Sequence, residues 1–204
     1  MRHYFTTIIV FSLCVLSAFS QTDTFKTYRH SVLYFKIDYP VDWNVISVDE
    51  YYNQLNAIKL SEKEFNDLLV KNASVPFFAI TKYPEPFDDL NPSIKINTKP
   101  YGGLKGQSLE SILRILIEQF SKMFQDFSVD QEPQQIDLGN QKAEYLRIKY
   151  TLKTQDGKSF ATCSELYLID KGEYFYMIGA GTRQDEKTGT RDEIRKILNT
   201  VEIK

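Results

Sequence analysis

The residues best suited to nucleophilic catalysis are a cysteine and a histidine that lie far apart in the sequence. Outside the first twenty residues, Cys163 is the one cysteine and His30 the one histidine. A cysteine nucleophile needs an adjacent base to form the thiolate, and that base needs an orienting partner. Cys163 lies inside the strand-like segment FATCSELYL, where a free cysteine usually behaves as a small apolar residue. We therefore expect no catalytic role for this pair, and the sequence also lacks the G-x-S-x-G element of a serine hydrolase.

Oxygen-bearing side chains lie close together in the segment PEPFDDLNP, which contains Glu85, Asp88, Asp89 and Asn91. Carboxylate and amide oxygens are the ligands that a hard cation such as calcium prefers. The segment lacks the alternating ligand order and the central glycine of an EF-hand loop. A solvated acidic turn explains the same residues and is the favoured interpretation, while a cation site stays open as the alternative. A single histidine argues against zinc or copper, so we assign no metal ligands.

Three other segments contain residue types that can serve a binding or modification site. Tyr39, Pro40 and Trp43 could form a ligand-facing aromatic patch, but large aromatic residues more often serve the core, and we favour that role. The glycine-rich segment Lys99–Gly106 precedes a helix but lacks the G-x-x-x-x-G-K-[ST] order of a phosphate loop, so we expect a connector. Asn72–Ser74 matches a glycosylation acceptor, which matters only in a host that glycosylates exported chains.

The first twenty residues have the order of a secretory signal peptide. Arg2 and His3 supply a short basic start, residues 8–19 are almost entirely apolar, and small residues precede a cleavage point after Ser20. The apolar stretch is about a dozen residues long, shorter than the ~20 that a membrane-spanning helix needs. We therefore expect residues 1–20 to be a signal peptide and the protein to be exported, to the periplasm or the extracellular space.

Composition limits the partners of this chain. The formal net charge is −2, and loss of Arg2 with the signal makes it more negative, so nothing attracts the protein to nucleic acid or an anionic membrane. One remaining cysteine cannot form an intramolecular disulfide. Stability must come from packing, for which an aromatic content of 14% is suited.

Periodicity and turn residues divide the first half of the mature chain into strands and helices. Residues 21–27 are polar and are expected to be a loose lead-in. The capping box Ser61–Glu64 predicts the start of a helix with Phe65, Leu68 and Leu69 on its apolar face. The other predicted elements are strands at Ser31–Tyr39, ended by Pro40, at Val75–Tyr83 and at Ser93–Thr98, and a long helix at Ser108–Phe127.

The second half has the pattern of an antiparallel meander followed by a helix. Strands are predicted at Tyr145–Thr154, Ser159–Ile169 and Glu173–Ala180, joined by tight turns that contain glycine. A second capping box, Thr190–Glu193, predicts a terminal helix, and Val201–Ile203 predicts a last short strand. Helices around an antiparallel sheet predict a single domain of the α+β class.

The strand ending in YPVDW (39–43), the amphipathic helix, the late meander and the short terminal helix together resemble the PsbP-like family. The resemblance covers residues 28–204 and implies an α/β/α sandwich with a central antiparallel sheet. Members of that family bind or assemble; they include a photosystem accessory subunit, a Ran-binding transport factor and exported bacterial proteins of unknown role. No ligand set for metal can be carried over residue by residue, and export argues against the Ran-binding role.

The sequence therefore favours an exported, non-enzymatic binding or accessory module without a cofactor. Its partner is an unidentified protein or small ligand, bound on the sheet or in a helix-lined groove. The alternative is an enzyme of unfamiliar type that uses carboxylates in a pocket as acid and base. A third possibility is a subunit of a cell-envelope assembly. No catalytic, cofactor-binding or metal-binding residues are assigned.

Overall fold

The computed structural model describes residues 24–57 and 75–204. The expected signal peptide at residues 1–20, the capping box Ser61–Glu64 with its helix, and the acceptor sequence Asn72–Ser74 lie outside the described residues. In the part of the chain that is described, no helix is long and apolar enough to cross a membrane.

The larger of two antiparallel sheets is built from strands of both halves of the chain. Within the described residues it has seven strands, β3 (Asn44–Val45), β4 (Phe78–Thr81), β5 (Ser93–Pro100), β6 (Gln125–Leu138), β7 (Gln141–Lys153), β8 (Ser159–Asp170) and β9 (Tyr174–Arg183). Their order across the sheet is β3-β4-β5-β9-β8-β7-β6. The predicted meander is confirmed, because β7, β8 and β9 pair in sequence order.

A smaller sheet joins the two ends of the domain. It contains β1 (Phe25–His30), β2 (Phe35–Pro40) and β10 (Glu202–Ile203), in the order β1-β2-β10. The expected lead-in is therefore wrong over its last residues, because β1 begins at Phe25 and pairs along the whole of β2. Its burial pattern is mostly exposed, which explains why the sequence there is too polar to reveal a strand.

Three helices pack around the sheets in the described part of the chain: α1 (Val48–Ala57), α2 (Leu109–Met123) and α3 (Arg191–Leu198). Thr190 caps α3 by accepting a hydrogen bond from the amide of Glu193, as the capping box predicted. The sequence reading missed α1, although Ser47 and Glu50 form a capping box in which the Ser47 amide donates to Oε2 of Glu50 at 2.7 Å.

The predicted end of the long helix is wrong. The helix ends at Met123, and Phe124 is already extended while its amide still bonds to the Phe120 carbonyl. Residues from Gln125 onward form β6, which pairs with β7. Phe124 and Phe127 continue the helical spacing of apolar residues, but the Phe124 ring stacks on Tyr150 of β7 at a centroid distance of 3.9 Å. The contact between Phe124 and Tyr150 thus favours an extended chain where the spacing of apolar residues alone favoured a helix.

Each face of the larger sheet has its own apolar cluster. One face, with Ile96, Ile178 and Tyr167, packs against Phe35 and Ile37 of β2 and Ile197 of α3. The opposite face, with Leu146 and Leu168, packs against Ile112 and Leu113 of α2. Antiparallel sheets with few helices confirm the α+β class, while the finer α/β/α sandwich arrangement stays a prediction.

Candidate functional site

A groove runs over the α2 side of the larger sheet, beyond the area that α2 covers. It consists of two adjoining cavities of about 360 Å³ and 530 Å³ that share Thr81 and Glu85 in their linings. Both volumes lie in the range of small-molecule sites. We call the first the glycine cavity and the second the tryptophan cavity, after the residues that define them.

The glycine cavity is a depression in the surface of the sheet because small residues lie side by side on neighbouring strands. Ser93 of β5 lies opposite Gly181 of β9, which lies opposite Ser164 of β8. One row further, Gly179 lies between Lys95 and Leu166. Opposed residues of an antiparallel sheet point to the same face, so these rows form one depression.

The backbone does not require glycine at either position 179 or position 181. A Cβ added at Gly179 would lie 3.8 Å from the Leu166 side chain, and one added at Gly181 would lie 3.8 Å from Oγ of Ser164. Both distances are ordinary contacts, and neither residue has a positive φ. A Cβ atom therefore fits at either position without strain. The lining of the cavity also includes both apolar and polar residues: Leu90, Asn91, Tyr150, Leu152 and Thr162.

The tryptophan cavity lies at the β3 edge of the sheet and is lined by Val41, Trp43, Val45 and Ile46, among others. Val41 and Val45 are exposed at its rim, at 44% and 50% of full exposure, and polar or charged residues complete the lining, among them Lys26, Asn44, Glu50 and Asn53. Trp43 itself is 2% exposed, and its Nε1 has no hydrogen-bond partner among the described residues. Tyr39 is also buried, so this aromatic segment belongs to the core, as the sequence favoured, while Trp43 additionally borders the cavity.

Lys95 and Glu85 carry opposite charges in the lining of the glycine cavity, which also includes Glu165. The Lys95 ammonium lies 5.3 Å from the centre of the Tyr51 ring of α1, a cation–π contact. Burial lowers the pKa of Lys95, and the Glu85 carboxylate only partly opposes that shift. Glu85 is itself occupied by its own loop, since Asn91 Nδ2 donates to its Oε1 at 2.8 Å and the Phe87 amide to its Oε2 at 2.9 Å.

The acidic loop is tied down by protein groups and is not gathered around a centre. Arg183 Nη1 donates to Asp89 at 2.7 Å, and the Leu90 amide donates to the same oxygen at 2.6 Å. Partial burial raises the pKa of Asp89, but these two donors lower it by more, so the carboxylate is held ionised. Across residues 24–57 and 75–204, no three His, Cys, Asp or Glu side chains are grouped so that they could hold a metal ion.

The opposite face of the sheet carries a buried ionisable cluster beside a cavity of about 300 Å³. Glu165 is 3% exposed and accepts hydrogen bonds from Tyr145 at 2.7 Å and Tyr167 at 2.8 Å. Arg147 lies 3.8 Å from Glu165 and also pairs with Asp130. Sequence reasoning missed this cluster, although Tyr145, Arg147, Glu165 and Tyr167 alternate on their strands.

The pKa shifts in this cluster move away from neutral pH. Burial and the Glu165 charge raise the pKa of both Tyr145 and Tyr167, so the phenols stay protonated. Hydrogen bonds from Lys149 and Arg147 outweigh burial and lower the pKa of Asp130. General acid–base catalysis works best with a pKa close to the working pH, and these shifts are in the wrong direction for it.

Cys163 and His30 are not brought together. Cys163 is buried in β8, and burial raises the pKa of its thiol, the reverse of what a nucleophile needs. His30 Nδ1 accepts from the Leu33 amide at 3.2 Å, and its ring meets Phe77 edge-on. The glycine-rich segment forms a short 3-10 turn at Gly102–Leu104 before α2.

Of the residues that line the groove, the sequence singled out Trp43, Glu85 and Asn91 for other roles, but not Gly179, Gly181 or Lys95. In the sequence, Lys95 is only the polar residue between Ile94 and Ile96 in an alternating strand pattern. The alternation of Gly179 and Gly181 in MIGAGT was the available signal, because glycine in a strand often marks the close approach of another group.

Comparison with known proteins gives structural likeness only. No protein-family model and no curated protein sequence matches this chain. LpqN, involved in cell envelope biogenesis of Mycobacterium tuberculosis, is similar at 14% identity with a TM-score of 0.47, covering 90% of this chain and 87% of LpqN. A crystal structure from Bacteroides thetaiotaomicron VPI-5482 is similar at 14% identity with a TM-score of 0.43; the match covers 89% of this chain and spans about half (49%) of that structure's chain.

The cyanobacterial PsbP (CyanoP) of Synechocystis sp. PCC 6803 is also similar, at 9% identity with a TM-score of 0.48, covering 89% of this chain and 93% of CyanoP. At these identities and TM-scores, the likenesses carry no conclusion about function. A PsbP protein is thus among the structures that this chain resembles.

Proposed function

We propose that this protein is an exported, non-enzymatic binding or accessory module with the α/β/α sandwich expected of its resemblance, and that it holds a ligand in the groove. The observation that carries the proposal is the glycine cavity, where the residues that the structure describes leave the sheet open over Gly179 and Gly181. Glycine weakens a strand interior and often marks a place where a ligand or another backbone approaches closely, which supports the proposal. The signal-like first twenty residues support export.

An enzyme that uses carboxylates as acid and base is the alternative. Its best residues are Asp130 and Glu165, which both contact Arg147 beside the smaller cavity. The lowered pKa of Asp130 and the raised pKa values of the neighbouring tyrosines oppose proton transfer near neutral pH. The groove therefore supports binding better than this cluster supports catalysis.

Filling the groove tests the proposal. Gly179→Val and Gly181→Val add a β-branched side chain, which suits a strand, at positions where a Cβ meets only ordinary contacts. We expect the double variant to remain folded and to bind the neutral fluorescent probe Nile red at least about tenfold more weakly, about 1.4 kcal/mol. Fluorescence titration measures the affinity, and thermal unfolding checks the fold.

Ser128→Val is the matched control, because it adds the same side chain to an exposed position of a strand outside the groove. The control should bind the probe as the wild type does. Native mass spectrometry of protein recovered from the host's envelope fraction provides the second readout. Recovery of a monomer without ligand or partner, together with no Nile red binding to the wild type, would contradict the proposed function.

A further inference from the structure

We infer that Lys95 is the anchor of the groove and that the ligand is an anionic amphiphile, whose carboxylate or phosphate pairs with the Lys95 ammonium while its apolar part lies over the glycine floor. The inference rests on the proposed function and adds to it the chemical class of the ligand. It is carried by the position of Lys95 in the lining of the glycine cavity, directly opposite Gly179.

The first argument is that Lys95 lacks a counter-ion. Among the described residues, its ammonium makes neither an ion pair nor a hydrogen bond, and the Tyr51 ring at 5.3 Å is its one polar contact. Other cations of the domain do have carboxylate partners: Lys82 pairs with Glu193 at 2.7 Å and Arg183 with Asp89 at 2.7 Å. Lys26, which lines the tryptophan cavity, donates to the Val41 carbonyl at 3.4 Å. A partly buried ammonium without a partner is costly, and proteins rarely keep one without a use.

The second argument is that the neighbouring acid cannot serve as that partner in the present arrangement. Both carboxylate oxygens of Glu85 accept hydrogen bonds from its own loop, one from Asn91 and one from Phe87. Glu85 contributes attraction at a distance but no ion pair with Lys95. Among the described residues, the groove therefore presents an ammonium without an ion pair near a carboxylate that is hydrogen-bonded within its own loop, and the ammonium can pair with an acidic head group.

The third argument concerns the rest of the ligand. The walls of the glycine cavity include Leu90, Leu152 and Leu166, and its floor at Gly179 and Gly181 offers no side chain. An apolar chain or ring gains free energy by leaving water for such a surface. Hydroxyl groups of Ser93 and Ser164 border the same floor. A small inorganic anion would leave the apolar surface unused, so an amphiphile fits better than a free ion.

Four probes separate the parts of this inference: decanoate, decyl phosphate, neutral 1-decanol and inorganic phosphate. We expect the wild type to bind decanoate or decyl phosphate at least about tenfold more tightly than 1-decanol, because a charge-assisted hydrogen bond adds to apolar burial. Inorganic phosphate should bind more weakly than decyl phosphate. Isothermal titration calorimetry measures each affinity, and comparison of the two anions distinguishes a carboxylate site from a phosphate site.

Lys95→Met removes the charge and keeps a chain of similar length. We expect it to abolish the preference for decanoate over 1-decanol, while Lys95→Arg restores at least part of it. Lys99→Met is the matched control, because Lys99 lies on the same strand but outside the lining of the groove. Lys99→Met should keep the wild-type preference, and thermal unfolding of each variant shows whether it is folded.

Equal binding of decanoate and 1-decanol by the wild type, or an unchanged preference in Lys95→Met, would overturn the role of Lys95 and leave the groove as a neutral binding site. Binding of inorganic phosphate as tight as that of decyl phosphate would overturn the amphiphile. Binding of the amphiphiles that persists in the Gly179→Val/Gly181→Val variant would instead place the site elsewhere and contradict the proposed function.

Discussion

Lys95 shows how one residue can reduce stability and serve binding at once. Its neighbours Ile94 and Ile96 are fully buried on one face of the sheet, while the Lys95 side chain lies on the other face and lines a partly apolar groove. Burial lowers the pKa of Lys95, which means that the folded state disfavours the charged form. An anionic ligand would offset this cost, so the charged form of Lys95 should be more favourable in the complex than in the free protein.

Lys95→Met is therefore expected to stabilise the free protein, by about 1 kcal/mol, because an apolar side chain replaces an unpaired ammonium. The contact with Tyr51 offsets part of the gain. A lowered lysine pKa penalises folding fully below the folded-state pKa, and the penalty fades as the pH rises towards the ordinary value of about 10.4. The stability difference should thus be largest at neutral pH and shrink in alkaline buffer.

Urea unfolding of the two proteins at several pH values between neutral and alkaline measures this difference. Lys99→Met reports any general effect of removing a positive charge from β5. A wild type more stable than Lys95→Met at neutral pH would show that the ammonium is well accommodated and would remove the energetic argument for a missing counter-ion.

At the scale of elements, helix ends in this protein are fixed by specific hydrogen bonds. Ser108 caps α2 by accepting from the Ser111 amide at 3.1 Å, and Thr190 caps α3 by accepting from the Glu193 amide at 3.2 Å. The same logic opens α1 at Ser47 and Glu50. These are local interactions within one turn, and for this reason serine or threonine followed three residues later by glutamate is readable from sequence.

Ser108→Ala and Thr190→Ala should each destabilise the protein by about 1 kcal/mol, because an amide at the start of the helix loses its acceptor. Ser121→Ala in α2 is the control: its Oγ donates to the Glu118 carbonyl inside the helix, and alanine favours a helix interior. Chemical unfolding followed by circular dichroism measures all three. A loss in Ser121→Ala as large as in the cap variants would show that capping is not the cause.

The end of α2 depends on more than local signals. Phe124 and Phe127 fit the apolar period of the helix, yet the chain turns into β6 because Phe124 stacks on Tyr150 and Gln125 pairs with Thr151. Both partners belong to β7, on the far side of a turn. The helical spacing of apolar residues therefore continues past the end of α2, where the contacts with β7 favour a strand.

At the scale of the whole molecule, the larger sheet separates two apolar clusters that share its strands. Tyr176 links one of them to the hairpin of the smaller sheet, since its hydroxyl donates to the Leu33 carbonyl at 2.6 Å. Gly139 has a φ of +57°, and an added Cβ would lie 1.9 Å from the Val201 carbonyl oxygen, so the β6–β7 turn and the C-terminal segment are in close contact. These links hold the smaller sheet and the C-terminal segment to the cluster that contains Tyr176. Because the same strands carry both clusters, we predict that the two clusters unfold together.

Leu113→Ala on the α2 face and Ile197→Ala on the other face remove fully buried side chains and should each cost about 2–5 kcal/mol. Trp43 fluorescence reports on the cluster that contains Ile197, whereas far-UV circular dichroism reports on the whole chain. We expect the midpoints from both probes to coincide in each variant. Separate midpoints in Leu113→Ala would show that the faces unfold independently, contrary to a single domain.

The sequence by itself determined the elements whose signals are contiguous: the meander of β7, β8 and β9 through alternation and turn glycines, and α3 through the Thr190 capping box. The position of Cys163 within a strand also argued against a catalytic cysteine–histidine pair. These features depend on neighbouring residues, and local periodicity or a cap is enough to reveal them.

Only the tertiary structure decided where the groove lies. Strand order places β5 next to β9, and this pairing sets Lys95 opposite Gly179 and Ser93 opposite Gly181 although they are distant in the chain. A depression of small residues beside an ammonium that has no ion pair within residues 24–57 and 75–204 is a property of strands brought side by side, and no single stretch of sequence contains it.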